Sequence, residues 1–496
     1  MLTRRCSTPI PLLLLATALT GCDRFRDADE TGIAGPAVRI PATTTSEEAR
    51  DHYLIGRDLM DKLRVPEARR HLLQAVDRDS TFAMAHYELA LSEPTNRGFL
   101  EHLTRAVDLS ETTSDGERLT ILALHAGANA NPAEQLRLTE ALAAAYPLDP
   151  RAHFLLGFSQ AGQQDFEAAI RSFSRATELD PGFSPAWNAL GYAYRPLGRY
   201  AEAERAFKRY IALLPREPNP YDSYAELLLK VGRHDESIAM YRKALDADSH
   251  FVSSFVGIAA NLMYSGRHTE ALAEARRLEK AARDDRERRI ARLTAAIVWA
   301  DQGNTTRALE ELQARQNIAR HARDTLAMAN DLRLMGELLV ESGRTGEARR
   351  RFDQALAMVE AAGASPELKA DARLLHRLDL GRAAVRSGDF RAAEPMARTF
   401  ADSARAGGNP ERIRQADELL GLLALARGDG DTAVARLGGA DQQDPFILYA
   451  TARALALKGE GMRARELLAK VAAYKDLPTL RYALIRRAAV REAGRR

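Results

Sequence analysis

Ser184-Pro-Ala-Trp187-Asn188-Ala-Leu190-Gly191-Tyr192-Ala-Tyr194, continued by Gly198-Arg-Tyr200 and then by Ala203, Phe207, Tyr210 and Pro215, is the stretch from which the fold is read. Trp187, Leu190, Gly191 and Tyr194 fall at i, i+3, i+4 and i+7, so a helix gathers them on one face. Ala203, Phe207 and Tyr210 do the same for a second helix. Gly198 suits the left-handed residue that closes the first helix after Pro196, which cannot continue it, and Pro215 stops the second. Two antiparallel helices follow. In a helix interior glycine costs about 1 kcal/mol relative to alanine, so Gly191 implies a partner that must come close, with the small Ala203 as the expected one.

The unit recurs in register. Thirty-four residues earlier stand Leu156, Gly157, Phe166, Ala169, Phe173 and Pro181; later copies give Gly232, Ser237 and Tyr241, then Phe255, Ile258, Ala259, Gly266 and Ala271. These residues resemble the tetratricopeptide repeat family, whose W-x2-L-G-x2-Y opening, small Ala, aromatic and closing Pro all appear at the family's offsets. The resemblance implies an all-α fold, a right-handed α-solenoid of stacked helix hairpins in which each unit contacts mainly its neighbours.

Working outward, a regular array is expected over 47–285. Ser46 with Glu47 and Glu48 reads as a helix N-cap with acids in the first turn. A first unit carries Gly56, Ala68, Leu72 and Ala75; a shorter one has His86, Leu89 and Ala90 before a Ser92 to Gly98 loop; the next has helices near Asp115 to Gly127 and Ala133 to Ala145. A divergent array follows over 286–476, in which Gly-x4-Ala persists as Gly303/Ala308, Gly343/Ala348, Gly388/Ala393, Gly428/Ala433 and Gly459/Ala464 at irregular spacing. Arg283 to Arg289 reads as the solvated start of a long helix. The last segment, 477–496, is expected to be a polar-faced capping helix, its sharper alternative being that Arg481, Arg486, Arg487 and Arg491 meet an anionic partner.

Residues 1–21 are set apart from this fold. Arg4 and Arg5 precede the apolar Leu12 to Leu19, too short for a permanent membrane span, which reads as an export signal. Its end, Leu19-Thr20-Gly21-Cys22, resembles the lipobox of bacterial lipoproteins, which implies cleavage before Cys22 and acylation of its thiol. Palmitate-like chains would hold the protein on a membrane, facing the periplasm in the cell envelope, with 22–46 as a flexible tether containing Gly32, Gly35, Pro36 and Pro41. Cys6 and Cys22 are the only cysteines, so no disulfide is expected. The 71 basic and 68 acidic residues give a net charge of +3, and loss of Arg4 and Arg5 leaves +1, which points to no nucleic-acid partner.

Motifs of chemistry are not found. The chain has no G-x4-G-K-[S/T], H-E-x-x-H, C-x-x-C or G-x-S-x-G, and none of its eleven histidines lies four residues from another. No catalytic residue, cofactor, metal or small-molecule substrate is expected. Acid and arginine pairs on helices are read as (i, i+4) ion pairs.

In the family, the first helix of each hairpin lines the concave groove, and its fifth, ninth and twelfth positions commonly meet the ligand. Carried onto this chain, these include Tyr53, Arg57 and Met60; Tyr87 and Leu91; Phe154 and Phe158; Asn188, Tyr192 and Arg195; Asp222 and Glu226; and Val256, Ala260 and Met263. Tyr192 stands where the family's carboxylate clamp needs a second Asn, and Asp222 would repel a carboxylate. An extended or helical protein segment in the groove is expected instead, anchored by aromatic rings; the competing reading is that the rings pack against the adjacent hairpin. The expected function is a non-catalytic, lipid-anchored scaffold for protein partners in the bacterial cell envelope. A sensory or regulatory module and an enzyme with an unrecognised site are the alternatives.

Overall fold

A computed structural model describes residues 39–494. The expected signal 1–21, Cys22 and the first part of the tether lie outside the described residues. Among those described, the protein is all-α, with 25 helices and no strand. It forms two compact units.

The first unit, described over 39–227, holds α1 (Glu47–Asp61), α2 (Val65–Arg78), α3 (Ala83–Ser92), α4 (Asn96–Leu109), α5 (Asp115–Ala128), α6 (Pro132–Ala145), α7 (Pro150–Gly162), α8 (Phe166–Leu179), α9 (Ser184–Tyr194) and α10 (Tyr200–Leu213), paired in order as hairpins. The division falls inside α11 (Pro218–Lys230). The second unit continues with α12 (His234–Ala247), α13 (Val252–Tyr264), α14 (His268–Ala281), α15 (Asp285–Asp301), α16 (Thr305–His321), α17 (Thr325–Glu341), α18 (Thr345–Ala361), α19 (Pro366–Ser387), α20 (Phe390–Ala406), α21 (Pro410–Arg427), α22 (Gly430–Gly438), α23 (Pro445–Leu457), α24 (Gly461–Ala472) and α25 (Leu480–Ala493). Each unit is an α-solenoid of stacked hairpins.

The hairpin turn needs one residue with positive φ. Gly198, Gly232 and Gly266 supply it at 71°, 78° and 76°, and Gln164 takes the same place one repeat earlier at 67°. In the second unit Gly303, Gly343, Gly388, Gly428 and Gly459 all have positive φ, and the alanines five residues after each are buried. The Gly-x4-Ala signature is thus one turn plus the point where two helices cross. Its irregular spacing comes from helix length: α15 to α18 have 17 residues each and α19 has 22, against 13 in α7 and 14 in α8.

Four expectations are corrected. A Cβ on Gly191 would lie 2.6 Å from the Phe207 ring, so the close partner is Phe207 and not Ala203. The same relation holds at Gly157 with Phe173 and at Gly56 with Leu72: the missing side chain makes room for a large one sixteen residues on. The Ser92 to Gly98 loop is shorter than expected, because Thr95 caps α4 by accepting from the Gly98 N–H at 3.0 Å. The tether does not run free to Ser46. Ile40 N–H donates to Asp149 at 2.7 Å, Thr43 N–H to Glu117 at 2.7 Å, and the Thr44 hydroxyl to Asp79 at 2.6 Å, so residues 40–44 are fastened across three hairpins. Finally, α25 does not sit on the end of the array as a cap with a free polar face. It packs against α15, α17 and α23 as well as α24, and Arg481 and Arg486 are paired with acids of its own unit.

Candidate functional site

Tyr53 and Arg57 stand on α1, Tyr87 on α3, Phe154 and Phe158 on α7, Asn188 and Tyr192 on α9, Arg195 just after it, and Asp222 on α11. Arg57 and Phe158 are half-buried and the rest are buried. Met263 lies on α13 of the second unit and is fully buried.

The rings form packed groups. Tyr53 meets Phe82 with centroids 4.8 Å apart and carries the Arg57 guanidinium 5.3 Å from its ring. Phe154 lies edge-on to Phe158 at 4.7 Å and to Phe183 at 5.2 Å. Tyr192 lies edge-on to Phe207 at 5.3 Å. The Tyr192 hydroxyl donates to Glu226 Oε2 at 2.7 Å, and Arg195 donates to Glu226 Oε1 at 2.8 Å while lying over the Tyr192 ring at 5.0 Å. Burial raises the Tyr192 pKa well above that of a free tyrosine, so its hydroxyl is a neutral donor.

Phe158, Asn188 and Tyr192 are brought together. With Ala161, Phe173, Ala189 and Ala193 they line a cavity of about 10 Å³. Asn188 is 0% exposed, and neither its Oδ1 nor its Nδ2 meets a hydrogen-bond partner among the described residues. A buried amide left so costs on the order of 1–3 kcal/mol, and most buried polar groups are paired. One acceptor and two donors on a planar group match the C=O and N–H of a peptide main chain. The cavity has room for about one water molecule, and its lining offers no nucleophile paired with a base.

A second feature gave no signal in the sequence. Arg151, at the start of α7, forms an ion pair with Asp61, at the end of α1, three hairpins away. Burial pushes the Asp61 carboxyl up and the Arg151 charge opposes that shift. Glu88 on α3 is buried nearby; burial raises its pKa against the pull of Arg151 and Arg57, and its Oε2 has no partner among the described residues. The pair ties α1 to α7, and the buried Tyr53 and Tyr87 lie within the field of Arg151.

Among the described residues no helix is long and apolar enough to cross a membrane, and no group of three or more ligating side chains could hold a metal ion.

Comparison with known proteins was made on sequence and on structure. A family model described as Tetratricopeptide repeat matches residues 122–182, 159–218 and 378–446, and a second of the same description matches 219–251. The chain is 34% identical over 93 residues to Protein O-mannosyl-transferase Tmtc1 of Drosophila melanogaster, covering 18% of this chain and 11% of that protein. It is 28% identical over 106 residues to TPR repeat-containing protein YpiA of Bacillus subtilis, covering 21% of this chain and 25% of that protein. The chain thus spans a quarter or less of these relatives' length. A solved tetratricopeptide repeat protein from Parabacteroides merdae aligns with a TM-score of 0.36 at 16% identity, over 53% of this chain and 98% of that one.

Proposed function

The chain belongs to the tetratricopeptide repeat family, and on that premise we propose that it is a non-catalytic scaffold, held to a bacterial membrane by lipid on Cys22, that binds a segment of another protein on the inner face of its first unit. The single observation that carries the binding site is Asn188. Its amide is buried, unpaired among the described residues, and enclosed by Phe158, Phe173 and Tyr192. A peptide unit bound there would satisfy both ends of the amide, with half-buried Phe158 as the ring that shifts to admit it.

Anchoring rests on Leu19 to Cys22 and on the basic and apolar residues before them. Two or three acyl chains hold a protein on a bilayer, each buried CH2 contributing about 0.8 kcal/mol. In this reading the protein faces the periplasm, and the fastened segment 40–44 fixes where the tether leaves the first unit.

The test separates the two parts. Crosslinking in intact cells compares the wild type with Asn188→Ala and with Cys22→Ser. Asn188→Ala is expected to lose the crosslinked partner while the protein stays folded and membrane-bound. Cys22→Ser is expected to lose acyl labelling and detergent-phase partitioning. Unchanged crosslinking in the first variant would remove the site, and unchanged partitioning in the second would remove the anchor.

A further inference from the structure

The second unit carries an acidic inner side filled by its own last helix. Asp301, Asp331, Asp379, Glu418 and Asp444 are all buried, and the first three stand on α15, α17 and α19, the first helices of successive hairpins. Two of the five are neutralised from within the hairpin array: Asp331 by Arg289 and Arg315, and Asp379 by Arg333. The other three are met by α25. Arg486 Nη2 donates to Asp301 Oδ2 at 2.6 Å, and Arg481 donates to Glu418 at 2.7 Å and to Asp444 at 3.3 Å.

Around these pairs α25 is seated as an amphipathic helix. Leu480 and Ala483 join the core formed by Ala296 and Ala300 of α15 and Leu332 and Met335 of α17. Arg481 lies 4.0 Å from the Phe446 ring and Arg486 5.5 Å from that of Tyr264. The connection before α25 reaches back to the start of the unit, where Tyr264 donates to the Asp476 carbonyl at 2.7 Å and Lys230 pairs with the Asp476 carboxylate.

The acids that hold α25 keep partners of their own. Asp301 also meets His268 Nε2 at 2.8 Å, and Glu418 also meets Arg382 at 2.6 Å. Departure of α25 therefore leaves Asp301 and Glu418 with side-chain partners from the array and Asp444 with the Phe446 N–H that donates to it at 2.8 Å, where a lone buried charge would oppose the opening. An interior so lined, acidic at three points and apolar between them, is complementary to any helix with the same pattern of arginines and small apolar residues.

We infer that the acidic channel of the second unit is a receptor for a basic amphipathic helix, that α25 is its occupant in the resting chain, and that a partner protein engages this unit by placing such a helix where α25 lies. Two arginines five residues apart, as at 481 and 486, with apolar residues at the places of Leu480, Ala483 and Ala489, define the partner segment. None of the residues involved belongs to the first unit, so the inference stands or falls separately from the Asn188 site.

The experiment uses the full chain and, as probe, a fluorescent peptide of residues 476–494. In a variant with Arg481→Glu and Arg486→Glu, α25 is repelled by the acids it now meets, and the peptide is expected to bind at least tenfold more tightly than to the wild type. A peptide with both reversals is expected not to bind. A folded variant that ignores the peptide would overturn the inference. Hydrogen exchange of the wild type covers the case in which the variant does not fold. The amides of α25 are expected to exchange at least tenfold faster than those of α15 and α17; equal protection would show that α25 leaves only when the whole unit unfolds, and would overturn the inference.

Discussion

Asp61 and Arg151 are ninety residues apart in the chain, and their ion pair joins the first hairpin to the fourth, with the Asp61 carboxylate 0% exposed. Removing one partner from a buried pair costs about 3–5 kcal/mol, whereas replacing both with apolar groups of similar volume is often neutral. Asp61→Ala is therefore expected to destabilise the protein by about 3 kcal/mol. Asp61→Leu combined with Arg151→Met is expected to recover most of it, as read from denaturant unfolding.

Asn188 behaves in the opposite sense. Replacing a buried group that has no partner removes a cost, so Asn188→Ala is expected to leave stability unchanged or raise it by about 1 kcal/mol. Loss of partner binding without loss of stability is the signature of a group kept for binding. A fall of several kcal/mol in the same unfolding measurement would instead give the amide a structural role.

The hairpin turns supply a third test. A Cβ on Gly198 meets no atom within 4 Å, so Gly198→Ala carries only the penalty of left-handed backbone, about 1 kcal/mol. Gln164 already bears that penalty at the same point of its repeat, and Gln164→Gly is expected to stabilise by up to about 1 kcal/mol. Gly191→Ala differs in kind, because its Cβ would collide with the Phe207 ring; overpacking of this sort costs about 1–3 kcal/mol.

Glu88 gives a pH dependence of known sign. Burial places its folded pKa above that of a free glutamate, so folding takes up a proton. The resulting stability is fully present below about pH 4.3, the unfolded value, and is lost as pH rises through the folded pKa. Glu88→Gln removes this loss. Its melting temperature is expected to exceed that of the wild type at pH 7, with the gap closing towards pH 4.

The hairpins were legible because their signals are local. Gly198 and Ala203 lie five residues apart, and the turn and crossing they mark survive in the second unit even where α19 lengthens to 22 residues. Ala203 and Phe207 lie one helical turn apart on the same helix face, so the sequence does not distinguish which of them fills the gap beside Gly191, and in the fold it is Phe207. Asp61 and Arg151 carried no signal, being two among many charged residues with no spacing that links them. The place of α25 was hidden for the same reason: Arg481 finds Glu418 sixty-three residues back and Arg486 finds Asp301 one hundred and eighty-five back. The groove residues were placed by family offset. Their burial depends on how tightly successive hairpins curl, which no single repeat encodes.

Site-specific photocrosslinking tests the central claim most directly. A photoreactive phenylalanine analogue placed at Phe158, beside the Asn188 amide, is compared in intact cells with one at Leu73, an exposed residue of α2. The account predicts a discrete protein adduct from position 158 that is lost when Asn188→Ala is added and is not formed from position 73. The same adduct from both positions, or one that survives Asn188→Ala, would contradict it.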